Sequence, residues 1–568
     1  MVMEVLTLIL DHMVTSSLNF RFHNKCEKQR IVNLCFADDL FLFTRGEVKS
    51  VKPVLEGLDR FKKWSGLVPS IPKSTVYFAN VADQVKQNIL ALLSFKEGCL
   101  PVRYLGVPLI STRLMYKDCK VLVERMENMI THEGNKYLSF AGRLQLIRAV
   151  LSSLHVYWAS VFILPQRVIK DLEKKMRDFL WSNGPLGKGK SKVAWKTVCL
   201  PASEGGLGIK RICDVNRALM VYHMWNIITN RESLWVKWIH TYKLRQRSFW
   251  DIPLKQGSSW GWRKLMKLRT NVRNHIWSKI GDMKLTSAWF DKWSVVDPIG
   301  NIVTPRMIKQ AGFHLDSTVA DVVRDGRWTW PLAWLELYPA LTHVQPPNLK
   351  PNVKDTHVWI DNDGKQVTYS AKSVWDTIRN HNHPVPWQNI VWFSQCIPRH
   401  AFLMWLVIGE RLKTQDKLKD WDVSGGTNLR LVCCPLCQYG NDSHPHLFFE
   451  CAFSSQVWLN VKRLGVMDHL SDKWENIMDY LISITKSKSA KSIIGRMIVA
   501  ATAYHIWQER NTRLFSDKKR SVNQVVEAIA CTVCLKLITL KFKHTRQVEL
   551  IINKWRLPKG VIIQDEFR

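Results

Sequence analysis

Four residues near position 440 constrain this chain more than any other feature. Cys434, Cys437, His446 and Cys451 follow the spacing C-x2-C-x8-H-x4-C. Two thiols separated by two residues can approach one tetrahedral ion from a single tight knuckle, and Zn²⁺ favours that donor set. The stretch that follows is long enough to bring a histidine and a further cysteine round. With every position filled by protein, such a site is structural, and Zn²⁺ binding contributes directly to folding. Cys433 stands beside Cys434 and His444 lies close to His446, so spacing leaves the register open between those neighbours. The competing reading is a buried cysteine pair beside surface histidines. Phe448 and Phe449 supply an apolar cap for a compact module.

The rest of the 13 cysteines are scattered. The start, Met1 to Leu10, has no basic segment ahead of its apolar residues and carries Glu4, unlike a secretory signal. No apolar run reaches the ~18 residues of a membrane span. The expectation is a reduced intracellular setting, nucleus or cytoplasm, with no membrane partner, where thiols serve as metal ligands rather than disulfides.

Charge narrows the partner. Lys and Arg number 82 against 48 Asp and Glu, a formal charge of +34. Such a surface steers polyanions inward. RNA or DNA is the natural partner, because phosphate neutralisation supplies most non-specific affinity. A ribosome-associated or membrane-surface protein is the other basic class. The 26 tryptophans often stand among cations, as in Trp235-Val236-Lys237-Trp238 and Trp260-Gly261-Trp262-Arg263. Such rings can stack bases, but for any single one a core anchor is the expected role.

At 568 residues the chain exceeds what one hydrophobic core usually supports. Residues 30–43 read as two strands around a tight turn, with Asp38 and Asp39 in the turn. Residues 48–64 read as an amphipathic helix presenting Val51, Val54, Leu55, Leu58 and Phe61. Lys73 to Ala79 reads as a strand, and Pro101 to Leu109 as a short strand interrupted by turn residues. Helices are expected over 116–132, 140–156, 168–181, 212–240, 369–379, 399–418 and 493–513. Pro339 to Lys354 is the best linker candidate. The tail 514–568 reads as an extra basic surface or a frayed remnant. Gly184 to Lys192 matches the G-x-x-x-x-G-K-[ST] spacing. A phosphate loop must follow a buried strand and open a helix, and this stretch follows a charged helix, so a basic surface loop is expected.

The pair Asp38-Asp39 carries a second chemistry. Adjacent carboxylates repel, and a divalent cation such as Mg²⁺ is the usual way to offset that. In nucleotidyl transfer such a metal activates the attacking hydroxyl and neutralises the leaving phosphate. A solvated Asp-rich turn is the plain alternative.

The stretch Val32-Asn33-Leu34-Cys35-Phe36-Ala37-Asp38-Asp39-Leu40-Phe41-Leu42-Phe43 resembles the palm hairpin of reverse transcriptases, nearest those of plant non-LTR (LINE-type) retroelements. The resemblance continues at Phe61 to Leu67, Lys73-Ser74, Tyr104 to Leu109, Leu138 to Ile147 and Gly205 to Ile209. It implies that Asp38 ligates both catalytic Mg²⁺ ions, that Asp39 is a weaker ligand, and that Lys73 lies near the primer or the incoming triphosphate. The helices between 116 and 180 look like the thumb. The family's earlier metal-binding Asp and glycine-rich motif have no counterpart here, and Met1 to Leu10 matches the helix after that motif. Two-metal chemistry needs both ions clamped, so the Mg²⁺ site is expected to be lost and polymerase activity absent without a missing upstream segment. Downstream, Tyr369 to Trp375, Trp387, Ile390-Val391-Trp392, Phe402 to Trp405, Arg411-Leu412, Cys434 to Cys437 and His446 to Cys451 resemble the zinc-binding domain of the same family.

The expected fold is α+β and multidomain: a partial polymerase palm over 1–110, a helical thumb over 111–182, a basic Trp-rich connector over 183–354, a small helical zinc-binding module over 355–460 and a helical basic region over 461–568. The expected function is that of a degenerate reverse transcriptase fragment that binds nucleic acid and does not polymerise alone. The alternatives are an active RNA-directed DNA polymerase whose upstream part lies outside this sequence, and a host-adopted zinc-dependent nucleic-acid-binding protein.

Overall fold

The structure is a computed structural model that describes residues 2–182, 191–245, 247–294, 296, 298–348, 350–417, 433–487, 489–516 and 518–563. It mixes helices with small sheets and divides into two compact units, each built from three stretches of chain. The first comprises Met1–Cys119, Trp158–Pro165 and Cys213–Arg379, and the second Lys120–Tyr157, Gln166–Ile212 and Asn380–Arg568. The glycine-lysine loop of residues 184–190 lies outside the described residues. Among the described residues, no helix is long and apolar enough to cross a membrane.

In the first unit the helix Val2–Ser16 buries Leu6, Ile9, Leu10 and Val14 against Val54, Leu58 and Phe61 of the helix Val48–Ser65. Val32 completes that core, so the hairpin Asn33–Phe36/Asp39–Leu42 is anchored at its base. Phe36 pairs with Asp39, which leaves Ala37 and Asp38 in the loop. The turn expected at Asp38-Asp39 therefore sits one residue earlier. Ala37 adopts φ 50°, the positive value that two-residue hairpin loops require. The segment 101–109 is likewise a hairpin, Val102–Tyr104 with Val107–Leu109, turned by Leu105 and Gly106 at φ 48° and 79°. The strand expected over 73–79 is only Thr75–Val76, paired in parallel with Lys96–Glu97.

Two further cores organise residues 213–379. One gathers Met224, Ile227, Trp262, Ile276, Trp359 and Val374, and it underlies a three-stranded antiparallel sheet in which Thr356–Ile360 lies between Ile276–Lys279 and Gln366–Val367. The other is built on tryptophan, with Trp289, Trp330 and Trp334 buried and Trp328 stacked on Trp330 at 4.0 Å. The linker expected over 339–354 is not free chain. Its first part, Pro339–His343, is a 3-10 turn that buries Leu341, and Val344 beside it is buried too, while the Val344 carbonyl accepts from Trp328 Nε1 at 2.8 Å.

Asp355 ties that segment down. Its Oδ1 accepts from the Gly281 and Met283 amides at 2.7 and 3.0 Å. Its Oδ2 accepts from the Leu285 and Thr286 amides at 3.0 Å and from Thr286 Oγ1 at 2.9 Å. Gly281 permits this closeness, because a Cβ there would stand 2.1 Å from the Val353 carbonyl oxygen. Burial pushes the Asp355 carboxyl up, but the donors from Gly281, Leu285 and Thr286 outweigh it and hold the group below the usual carboxylate range.

In the second unit the Ala490–Ser516 helix is buried along much of its length and packs against Pro398–Ile408, Ala452–Leu464 and Val522–Ile538. The helix expected over 399–418 stops at Ile408, where Gly409 and Glu410 (φ 49°) turn the chain. The described part of the tail is packed rather than frayed. Ser521 and Gln524 form a capping box that opens Val522–Ile538, and Val525, Ile529, Val533 and Leu537 line its buried face.

Replacing Asp355 with Ala strands five donors around a buried point. Urea unfolding followed by tryptophan fluorescence should show a loss of about 3 kcal/mol or more at neutral pH. The depressed carboxyl contributes in full above its unfolded value near ~4, and the contribution is lost as pH falls through the lower folded value. The gap between wild type and Asp355→Ala should therefore narrow in acid, and equal stability at pH ~7 would contradict the assignment.

Candidate metal centre

Cys434 opens the knuckle. Its amide donates to the Gly440 carbonyl at 2.6 Å and its carbonyl accepts from the Gln438 amide at 2.8 Å. Gln438 sits at φ 64°, the left-handed conformation that turns the chain back so that Gly440 meets Cys434. Gly440 leaves room for the imidazole, since a Cβ there would lie 2.4 Å from the His446 ring. His446 begins the π-helical turn His446–Glu450, and the Cys451 amide donates to the His446 carbonyl at 2.7 Å. Cys451 then caps the helix Ala452–Leu464.

These elements bring the ligand atoms of Cys434, Cys437, His446 and Cys451 within 4.8 Å of one another. Cys434 Sγ lies 3.9 Å from Cys451 Sγ, and Cys437 Sγ lies 3.3 Å from His446 Nε2. A tetrahedral zinc with bonds of about 2.3 Å to sulfur places two thiolates about 3.8 Å apart. The donor set and its spacing fit zinc. The Cys434–Cys451 contact splits the two thiols. Cys451 is pushed down, first by the hydrogen bond from Cys434 and then by backbone amides at the start of its helix. Cys434 is pushed up by the same contact and by burial. A zinc bound there would take both cysteines as thiolates, displacing their protons.

The neighbours that left the register open fall elsewhere. Cys433 is exposed, and its backbone bridges to Asn441. His444 is buried with its Nε2 3.1 Å from the Leu412 carbonyl oxygen, and burial lowers its basicity. The phenylalanine cap is present: Phe448 and Phe449 are buried, and Phe449 lies between Trp458 and Trp474 with ring centroids at 5.3 and 5.6 Å.

A brace around the knuckle was not legible from spacing. Arg510 and Arg513 of the Ala490–Ser516 helix reach into it. Arg510 forms a buried ion pair with Asp442, whose Oδ2 also accepts from the Gln415 amide at 3.0 Å. Arg513 Nη1 donates to the Leu436 carbonyl at 2.9 Å. Glu509, fully enclosed, binds Arg513 at 2.8 Å and Arg520 at 2.7 Å. Burial pushes the Glu509 carboxyl up, but the bonds from Arg513 and Arg520 hold it below its ordinary range. Glu509, Arg510 and Arg513 are visible in sequence as one turn of a helix. Glu509 pairs within this stretch, but Asp442 and the Leu436 carbonyl, which Arg510 and Arg513 reach, lie far off in the chain.

Asp38, Asp39 and Lys73 are all exposed. Among the described residues, no group of three metal-capable side chains includes either aspartate, and Asp39 takes part in the hairpin through its backbone. Lys73 ends the 3-10 turn Ile71–Lys73.

Native mass spectrometry of substituted chains tests the ligand set. Cys437→Ser should lose bound zinc, whereas Cys433→Ser should keep it, and the reverse result would move the register. Arg510→Met leaves Asp442 buried without its partner and should destabilise the second unit by about 3–5 kcal/mol in denaturant titrations.

Residues 369–458 match the family described as zinc-binding in reverse transcriptase. The matched segment contains all four clustered ligands. A protein of Arabidopsis thaliana whose name assigns it to ribonuclease H is 27% identical over 371 residues, 62% of this chain and 57% of its own length. An uncharacterized mitochondrial protein of the same plant is 28% identical over 142 residues, 25% of this chain and 92% of its own. The chain thus spans little more than half of the first of these relatives. Together with the ligand geometry, these likenesses support a reverse-transcriptase-related protein with a segment similar to reverse transcriptase zinc-binding regions.

Proposed function

We propose that this chain is a nucleic-acid-binding protein related to the reverse transcriptases of plant non-LTR (LINE-type) elements, with a zinc-ordered module that helps hold RNA or DNA. The observation that carries the reading is the convergence of Cys434, Cys437, His446 and Cys451 inside the matched segment. Zinc bound there would supply folding energy. The protein's own residues do the rest: the knuckle fixes a loop against the Ala490–Ser516 helix, and the excess of 34 positive charges attracts phosphate. The plant relatives and the ordered motifs from Val32 to Ile209 support the finer kinship.

In the same proposal, residues 1–110 correspond to part of a polymerase palm, 111–182 to a thumb, 183–354 to a connector, 355–460 to the zinc module and 461–568 to a basic helical region. Asp38 and Asp39 stand at the hairpin where Mg²⁺ would be held, with Lys73 the companion cation. The proposal is that the chain does not polymerise alone. Its support is that two-metal chemistry needs carboxylates from more than one element, and a single hairpin supplies both of these.

Fluorescence anisotropy with labelled oligonucleotides should show binding that weakens by roughly a thousandfold or more between 50 and 200 mM salt. Removing zinc with a chelator should reduce affinity further at fixed salt. Salt-independent binding, or none, would refute the reading. Primer extension with Mg²⁺ or Mn²⁺ should yield no product, and extension abolished by Asp38→Ala would instead establish the polymerase alternative.

A further inference from the structure

The Ala490–Ser516 helix has a second face that the zinc knuckle does not use. Tyr504, Trp507, Gln508, Asn511, Thr512 and Phe515 line an open groove of about 380 Å³ on it. That volume lies within the ~300–1,000 Å³ range of ligand clefts. Phe515 is 77% exposed. Three aromatic rings beside amide and hydroxyl groups are an unusual choice for a surface without a partner, because apolar rings left in water gain nothing.

The groove is tied to the brace. Arg510 Cζ lies 5.0 Å from the centre of the Trp507 ring, so the guanidinium that pairs with Asp442 also backs this indole. Arg510 Nη1 donates to Asn511 Oδ1 at 2.9 Å. That bond orients the amide and leaves its nitrogen with donors to offer. Tyr504 has Arg399, an exposed residue, 5.3 Å from its ring centre. Lys518 and Lys519 stand two and three residues beyond the helix end at Ser516 and are exposed, and Glu509 is enclosed and paired with Arg513 and Arg520. The groove therefore combines flat rings and an oriented amide with an exposed cation, Arg399, beside one of the rings.

We infer that this groove takes an unpaired nucleobase of single-stranded nucleic acid, stacked on Trp507 and Tyr504, with an adjoining phosphate near Arg399. Every base has a π face, so stacking is tolerant of sequence, and cations beside the rings hold the backbone. A rigid indole loses little freedom on binding. A duplex keeps its bases stacked on one another and does not enter. The inference rests on the nucleic-acid reading above and adds where and how a strand is held.

The test uses the full zinc-loaded chain and single-stranded 20-nucleotide probes, one of RNA and one of DNA, each carrying 5-iodouracil. Photocrosslinked peptides from the wild type should map to residues 504–515, and the probe that crosslinks more identifies the preferred sugar. By anisotropy, Trp507→Ala should weaken single-strand binding roughly tenfold, and Trp507→Phe should restore most of it. The salt slope should stay unchanged, because no phosphate contact is removed. Duplex affinity should be insensitive to both substitutions. If the wild type binds single strands but crosslinks elsewhere, or if Trp507→Ala binds as tightly as wild type, the groove assignment is wrong while nucleic-acid binding stands. If the wild type binds no nucleic acid, the functional reading falls and the groove with it.

Discussion

The second unit depends on buried charge. Asp442 and Glu509 are enclosed, and Arg510, Arg513 and Arg520 close around them. Taking such ions out of water carries a penalty of several kcal/mol each, which only close pairing and further hydrogen bonds offset. Here the further bonds go to the metal knuckle: Arg513 to the Leu436 carbonyl, and Asp442 to the Gln415 amide beside the loop that carries His446. A knuckle alone fixes four ligands but not the direction in which they face. The guanidiniums add that direction by making one arrangement of loop and helix far better solvated than any shifted one. The matched segment ends at residue 458, yet the brace comes from residues 509–520, so the module's structural unit extends beyond it.

The hairpin at Asp38 and Asp39 rests on the opposite physics. Its carboxylates face water, where mutual repulsion is weak because solvent screens it. The core beneath, from Leu6 to Phe61, is satisfied by apolar contact and needs no ion. The N-terminal fold and any chemistry at the turn are therefore separable, whereas in the metal centre the fold and the ligands are one system. This is why the two sites carry such different weight in the functional reading.

Local features were readable from sequence because their causes are local. The face Val51–Val54–Leu58–Phe61 follows from helical periodicity and is buried as that periodicity implies. The Cys-x2-Cys pair sets its own geometry. The limits appear where a partner is distant. Nothing near Asp355 announces that the amides of residues 281–286 will converge on it, so prolines nearby suggested a linker where the chain is pinned. In the basic tail the apolar stripe Val525–Ile529–Val533–Leu537 has the spacing of a packed helix, although the surrounding charge hides it in composition. The turn at Ala37-Asp38 differs by one residue because a two-residue loop is selected by strand twist, with Ala accepting a positive φ that composition would not assign to it.

Tryptophan shows where composition stops being informative. Many rings follow the core rule: Trp289, Trp359 and Trp458 are enclosed, and the Trp328–Trp330–Trp334 cluster builds a core beside the short ribbon Val323–Arg324/Arg327–Trp328. Trp507 departs from it, and the departure is traceable to one neighbour. Arg510 must lie inside the helix bundle to neutralise Asp442, and its flat guanidinium then offers one face to an indole that remains partly in water. A leucine at 507 would pack as well against the helix but would gain nothing from the cation. The charge that orders the metal loop is therefore the same charge that holds an aromatic ring at the surface. In this protein a braced Cys/His cluster and an aromatic ring held at the surface share one buried ion pair.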